Sequence, residues 1–303
     1  MLSIQDLSSN DLRSIILDAV ECKRTGAIKH RPGVVYGMLF TEPSTRTYLS
    51  FKEAVRRLNG RSVYLDGMRS SMKKGESLDD TIKMLKEYCD IIILRSDQSY
   101  SNLKETRGII NAGDGDNEHP TQAIIDLFTI YEKKSFSINH ICILGDAKHS
   151  RTIHSLLYGL MKLMPAVRVT LVTPLTLALP EHFKNMASDK GIEINEKSDL
   201  DQTILASVDV MYVTREQKER SNLTLDSLYP QLQLKHVHLM KKDAIILHPL
   251  PRGAELPHEI DSDPRALYME QSNNGVPVRM AICTFVLKNQ EYIETALEIA
   301  SIA

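Results

Sequence analysis

Four adjacent residues, Ser44, Thr45, Arg46 and Thr47, all offer hydrogen bonds to a small anion. Three contribute hydroxyls and the fourth a charged planar fork. They follow Pro43 and lie between two apolar patterns. The run 34–40 reads as a buried strand, and 48–58 puts Phe51, Ala54, Val55 and Leu58 on one helical face. Ser44 stands at the N-cap position, so the pattern predicts a helix from Thr45. A helix start adds unpaired N–H groups and the positive end of the macrodipole. A phosphate group suits such a place. Taken alone, the tetrapeptide fits an ordinary capped helix with a surface Arg better, because Ser and Thr caps are common, so the rest of the chain has to decide.

The elements that would position further chemistry alternate along the chain. Ser8 and Asp11 form a capping-box pattern that opens a helix to about Cys22. Residues 62–65 read as a short strand and 69–77 as a polar, flexible stretch around Lys73, Lys74 and Gly75. A helix over 81–88 precedes the apolar strand 91–94, which ends at Arg95. A strand over 108–111 leads through 112–119 to His119, and Pro120 sits at a helix N1 position. From about Ser137 a second series starts, with strands at 140–144, 168–172, 208–213 and 244–247. Helices are predicted from about Ser150, over 180–190 and over 277–287. Gly145-Asp146 lacks the G-x-G-x-x-G spacing of a dinucleotide turn.

Strand–helix alternation implies parallel sheets, whose ligands bind beyond the carboxyl ends of the strands. Arg46, Arg95 and His119 all fall there, as do Arg151 and Arg215. The first half thus supplies Ser44, Thr45, Arg46, Thr47, Arg95, His119 and Gln122, a set suited to a phosphate next to a carbonyl oxygen. The second half supplies two cations, Arg151 and Arg215, suited to two carboxylates, with Gln217 beside them. No Ser–His–acid order and no metal-ligand spacing stands out, so no metal or cofactor is expected. Such a site works by positioning and electrostatics.

Composition narrows the class. At 303 residues the chain has room for two domains, and 42% hydrophobic with 25% charged residues is ordinary for a globular protein. A net charge of -2 gives no sign of a nucleic-acid or membrane partner. Cys22, Cys89, Cys142 and Cys283 are too scattered for a disulfide frame or zinc site. The N-terminus shows no apolar signal core and no run reaches membrane-spanning length. A cytoplasmic location is the expectation.

The motifs FTEPSTRT, SSMKKGES, AGDGDNEHPTQ, GDAKHSRTIHS, YVTREQKER and HPLPR occur in this order. In this set the chain resembles the aspartate carbamoyltransferases of pyrimidine synthesis. STRT and HPTQ are shared with the sister ornithine enzymes, whereas KKGES, TRxQKER and HPLPR favour the aspartate branch. The resemblance implies two parallel-sheet α/β domains with a cleft between them. Residues 1–134 would bind carbamoyl phosphate, 135–285 would bind aspartate, and 286–303 would return to the first domain. It implies carbamoyl phosphate on Ser44, Thr45, Arg46, Thr47 and Arg95. Thr47, Arg95 and His119 would polarise its carbonyl, Gln122 would hold its nitrogen, and the Leu250 and Pro251 carbonyls would orient it. Ser70 and Lys74 resemble residues given to a neighbouring subunit's site, Ser70 toward carbamoyl phosphate and Lys74 toward aspartate, which implies a homotrimer. Arg151, Arg215 and Gln217 resemble the aspartate clamps. Regulatory chains or a dihydroorotase are possible further partners.

Two departures stand out: Tyr48 where the family usually has Arg, and Ala254 where a polar residue is usual. The first touches the support of the loop, the second the closure of the loop that follows HPLPR. Arg220 and Arg252 read as salt-bridge partners that shape loops, and Met72 and Cys89 as packing. Two other functions stay open: transfer to an ornithine-like amine, and a non-catalytic relative that only binds carbamoyl phosphate. A cationic acceptor would be repelled by Arg151 and Arg215.

Overall fold

In the computed structural model, which describes residues 1–104, 106–218 and 229–302, the predicted capping box starts the first helix. The Ser8 hydroxyl accepts from the Asp11 amide and the Asp11 carboxylate accepts from the Ser8 amide. This helix, α1, spans Ser9–Thr25 and buries Leu12, Ile15, Ile16 and Ala19. β1 (Val35–Phe40), α2 (Thr45–Arg57) and β2 (Arg61–Asp66) follow. The stretch read as flexible instead forms two 3₁₀ turns, Gly67–Arg69 and Ser71–Lys74. The turns use the Ser70 hydroxyl, which donates to Gly67 O and accepts from the Met72 amide. α3 (Leu78–Lys86) begins earlier than predicted, because Ser77 caps it by accepting from the Asp80 amide. β3 (Ile91–Ser96) and β4 (Ile109–Asp114) complete a four-stranded parallel sheet of order β2-β1-β3-β4. α4 (Pro120–Lys134) comes next.

The second sheet is five-stranded and parallel, of order β7-β6-β5-β8-β9. Its elements are β5 (His140–Leu144), α5 (Arg151–Leu163), β6 (Arg168–Val172), α6 (Glu181–Asp189), β7 (Ile194–Lys197), α7 (Gln202–Ser207), β8 (Val210–Val213), α8 (Leu234–Val237) and β9 (Ile245–Leu247). α9 (Tyr268–Asn273) and α10 (Gly275–Ile302) end the chain. α10 runs 28 residues, well past the predicted 277–287.

Contacts divide the chain into two compact units, Met1–Ile124 with Asn274–Ala303, and Ile125–Asn273. The division falls inside α4, whereas a boundary at 134/135 follows that helix's end. α10 packs on α1 and α2 of the first unit. Arg279 secures it there by donating to Ser50 Oγ at 2.8 Å and lying over the Phe51 ring. The strands β3, β4 and β5 are buried almost throughout, as expected for parallel strands covered on both faces, β4 even though it ends its sheet. The opposite edge, β2, is different: Val63 and Tyr64 on it are about half exposed. Among the described residues no helix is long and apolar enough to cross a membrane.

Candidate active site

Register decides where the first unit's chemistry collects. Phe40 lies opposite both Asp66 and Arg95, and Ser96 lies opposite Asp114. The segments that leave β1, β2, β3 and β4 therefore emerge at one end of the sheet, its carboxyl end. The residues 41–44 lead into α2, which starts at Thr45 as the pattern predicts. Ser44 holds the N-cap position, but its side chain makes no cap hydrogen bond. The hydroxyl is thus not committed to the helix, which corrects the capping role and keeps it suited to a ligand. Thr45 and Arg46 are exposed and Thr47 is buried.

Arg95 is the centre of this half. Its Nη2 contacts Glu42 Oε1 at 2.6 Å, and its Nη1 donates to Ala112 O at 3.1 Å. Nη1 also lies 3.4 Å from His119 Nε2. A guanidinium N–H has no lone pair to offer, so His119 Nε2 is the acceptor and the ring proton sits on Nδ1. Nδ1 in turn faces Thr121 Oγ1 at 3.4 Å. His119 is buried, as are Thr121 and Glu118 beside it. Gln122 stands in the first turn of α4. Ser70 and Lys74 lie on the turns after β2, with Lys74 exposed.

Tyr48 forms an aromatic bridge. Its ring meets Tyr64 edge-on at 4.7 Å and Phe40 at 6.1 Å, with the Lys52 ammonium 5.6 Å from its centroid. These rings tie the first turn of α2 to β1 and β2. In this chain the support of the loop is therefore aromatic. Cys89 lies in the core and Met72 packs against the same cluster.

The second unit repeats the arrangement. Leu144 is level with Val172 and Val213, and Tyr212 with Leu247, so the segments after β5, β8 and β9 share the carboxyl end. Gly145 turns the chain into Asp146, whose buried carboxylate accepts from the Lys148 and His149 amides. Arg151 is the first residue of α5 and is buried. Arg215 is half-buried and donates to Glu216 O at 2.9 Å. Gln217 Nε2 donates to Arg215 O, and the Gln217 amide reaches Asp146 Oδ2 at 3.4 Å. Asp146 thereby links the loops that carry Arg151 and Arg215.

Leu250 and Pro251 lie on the segment after β9. Leu250 has φ 55, and a Leu in the left-handed region is a true outlier. Such strain persists only where surroundings hold it, and it concentrates at functional sites. Arg252 pairs with Asp261 and stacks on Tyr268, the salt-bridge role expected of it. Arg220 lies outside the described residues. Among the described residues no three His, Cys, Asp or Glu side chains are grouped to hold a metal ion.

Two family descriptions cover nearly the whole chain. The aspartate/ornithine carbamoyltransferase carbamoyl-P binding domain matches residues 1–132, and the Asp/Orn binding domain matches 139–286. The chain belongs to the aspartate/ornithine carbamoyltransferase family. Among these carbamoyltransferases, the aspartate carbamoyltransferase catalytic subunit of Picrophilus torridus is 43% identical over 95% of this chain and 97% of its own. The Dictyostelium discoideum multifunctional protein pyr1-3 is 41% identical, over 87% of this chain and 12% of its own length. An aspartate transcarbamoylase structure from Trypanosoma cruzi, in complex with carbamoyl phosphate and aspartate, superposes with a TM-score of 0.85 at 34% identity. It covers 93% of this chain and 94% of that one.

Several residues in these family loops escaped sequence reasoning. Glu42 stands inside FTEPSTRT and His248 inside HPLPR, yet neither type at that place announces its partner. Glu42 is found through Arg95, 53 positions away, and Asp146 through amides of its own turn and of Gln217.

Proposed function

We propose that the chain condenses carbamoyl phosphate with L-aspartate, giving N-carbamoyl-L-aspartate and phosphate. The whole-length kinship with enzymes named for this reaction carries the reading. The geometry supports it: an uncommitted Ser44 hydroxyl at a helix start, Arg95 next to His119, and two arginines at the carboxyl end of the second sheet.

In this reading Ser44, Thr45, Arg46, Thr47 and Arg95 hold the phosphate, and Gln122 holds the carbamoyl nitrogen. Thr47, Arg95 and His119 stabilise the oxyanion that develops on the carbonyl oxygen. The carbonyls of Leu250 and Pro251 orient the carbamoyl group, and Arg151, Arg215 and Gln217 hold the aspartate carboxylates. Carbamoyl phosphate binds first. The α-amine of aspartate then forms the new C–N bond, the C–O bond to phosphate breaks, and the leaving phosphate takes the amine's proton. Arg95 must exchange Glu42 for the substrate's anion, and its departure from His119 Nε2 lets that nitrogen carry a proton toward the carbonyl oxygen.

Assembly and location belong to the same reading. A homotrimer would let Ser70 and Lys74 serve a neighbouring site, Ser70 on carbamoyl phosphate and Lys74 on aspartate. It would also cover the β2 edge, where Val63 and Tyr64 are exposed, and the exposed Leu49 of α2. The kinship with catalytic subunits and with a multifunctional protein leaves room for regulatory chains or a fused dihydroorotase. Four buried free thiols suit the reducing cytoplasm.

The test is aspartate-dependent phosphate release from carbamoyl phosphate, with solution mass measured on the same sample. Turnover with aspartate and none with ornithine, at a mass of three chains, is the expected result. Turnover with ornithine, or phosphate binding with no turnover, sinks the reading.

A further inference from the structure

Leu250 is held in its unusual conformation by a group the reaction does not touch. The Leu250 amide donates to His248 Nδ1 at 2.8 Å. A backbone amide can only donate, so Nδ1 is the acceptor and the imidazole proton sits on Nε2. Nε2 faces Glu255 Oε1 at 3.0 Å, and the Gly253 amide donates to the same oxygen at 2.6 Å. The backbone that carries the ring is anchored as well. The His248 amide donates to Gln271 Oε1, and Gln271 Nε2 donates to Asp126 Oδ1 at 2.7 Å. Asp126 Oδ2 accepts from the Tyr212 hydroxyl. His248, Glu255, Gln271, Asp126 and Tyr212 are all buried.

We infer that His248 and Glu255 are positioning residues for carbamoyl transfer. Glu255 selects the Nε2–H tautomer of His248, and only that tautomer leaves Nδ1 able to hold the Leu250 amide and so aim the Leu250 and Pro251 carbonyls. The inference rests on the carbamoyltransferase reading of those two carbonyls. It assigns a function to the second residue after Gly253, one beyond the Ala254 departure. The ionisation states agree with the geometry. Burial lowers the His248 imidazole below its ordinary value, against the pull of Glu255, so the ring is neutral. Burial works to raise the Glu255 carboxyl, and hydrogen bonds from His248 and the Gly253 amide outweigh it, leaving a carboxylate. A buried network pays off in rigidity only when every member is satisfied.

Paired substitutions separate positioning from filling. His248→Asn places Oδ1 where Nδ1 was and still accepts from the Leu250 amide. His248→Gln reaches Glu255 but leaves the Leu250 amide without its acceptor. Glu255→Gln still accepts from Nε2–H and the Gly253 amide, whereas Glu255→Leu accepts from neither. Kinetics of phosphate release are measured on all four and on wild type, with melting temperatures alongside. The expected result is kcat within about threefold of wild type for H248N and E255Q. H248Q and E255L should lose on the order of 10²-fold in kcat, the scale of a mispositioned group. Within each pair the melting temperatures should be similar. If one pair does not fold, the other decides. Equal kcat within both folded pairs overturns the inference and leaves the transferase reading intact. A wild type without aspartate-dependent turnover overturns both.

Discussion

At the scale of single residues, the central cation of the first unit is already paired. Arg95 is occupied by Glu42, and the His119 ring presents Nε2 as an acceptor. A dianion that draws Arg95 away changes both at once. His119→Ala should lower kcat on the order of 10²- to 10³-fold, the usual loss of one oxyanion donor. The KM for carbamoyl phosphate should change far less, because the phosphate contacts remain. Steady-state kinetics check this, and turnover near wild type would make His119 a packing residue. Ser44, Arg46 and Arg95 stand out in the sequence as candidates because each lies close after an apolar run, and His119 because it precedes the Pro120 that opens a helix. The ring of partners Asp126, Tyr212, His248, Glu255 and Gln271 was not. Its members come from distant positions, and a buried Gln or Asp gives no periodic signal.

At the scale of elements, tight turns at the strand ends fix where these side chains point. Gly145 follows β5 with φ 141, and a Cβ there would lie 2.3 Å from Thr214 Oγ1 and 2.6 Å from both Thr214 O and Tyr229 Oη. The Tyr229 hydroxyl is itself spent on this turn, accepting from the Asp146 amide and donating to Thr214 O. Gly145→Ala should destabilise the protein by about 1–3 kcal/mol through overpacking and backbone strain. It should also raise the KM for aspartate, since Asp146 ties the loops of Arg151 and Arg215. Urea denaturation and substrate kinetics read the two effects, and a variant with unchanged midpoint and KM contradicts the account. Elements differ in how plainly the sequence announces them. β5 and β6 match their expected ranges to the residue, since 140–144 and 168–172 are mostly aliphatic, with a polar residue marking each start. β7 was missed because Ile-Asn-Glu-Lys is a half-exposed edge strand with little apolar content. α10 was cut short because its apolar pattern gives way to Lys288-Asn289-Gln290-Glu291, although the helix continues.

At the scale of the whole molecule, the half-buried His30 and the buried His140 couple stability to pH. Burial lowers His30 from 6.5 to about 4, helped by Arg31 and Lys288. Burial and Arg168 likewise lower His140 to about 4. Both rings stay neutral when folded, held between hydroxyls: His30 by Thr284 and Tyr36, His140 by Ser207 and Thr170. Between about 6.5 and 4 the unfolded chain binds protons that the folded chain does not. Stability is therefore full above 6.5 and falls as pH drops through that window. Urea midpoints should decline from pH 7.5 to 5.0, and replacing both rings with Gln should flatten the decline. An unchanged slope in the double variant would assign the effect elsewhere. The division of the chain has another consequence. The second unit is one uninterrupted stretch, Ile125–Asn273, while the first is closed by α10 packing on α1 and α2. On the ribosome, every residue of the second unit is made before the helix that finishes the first. The unit begun earliest is thus completed last, and the faces of α1 and α2 wait bare meanwhile, open to chaperones or to wrong neighbours.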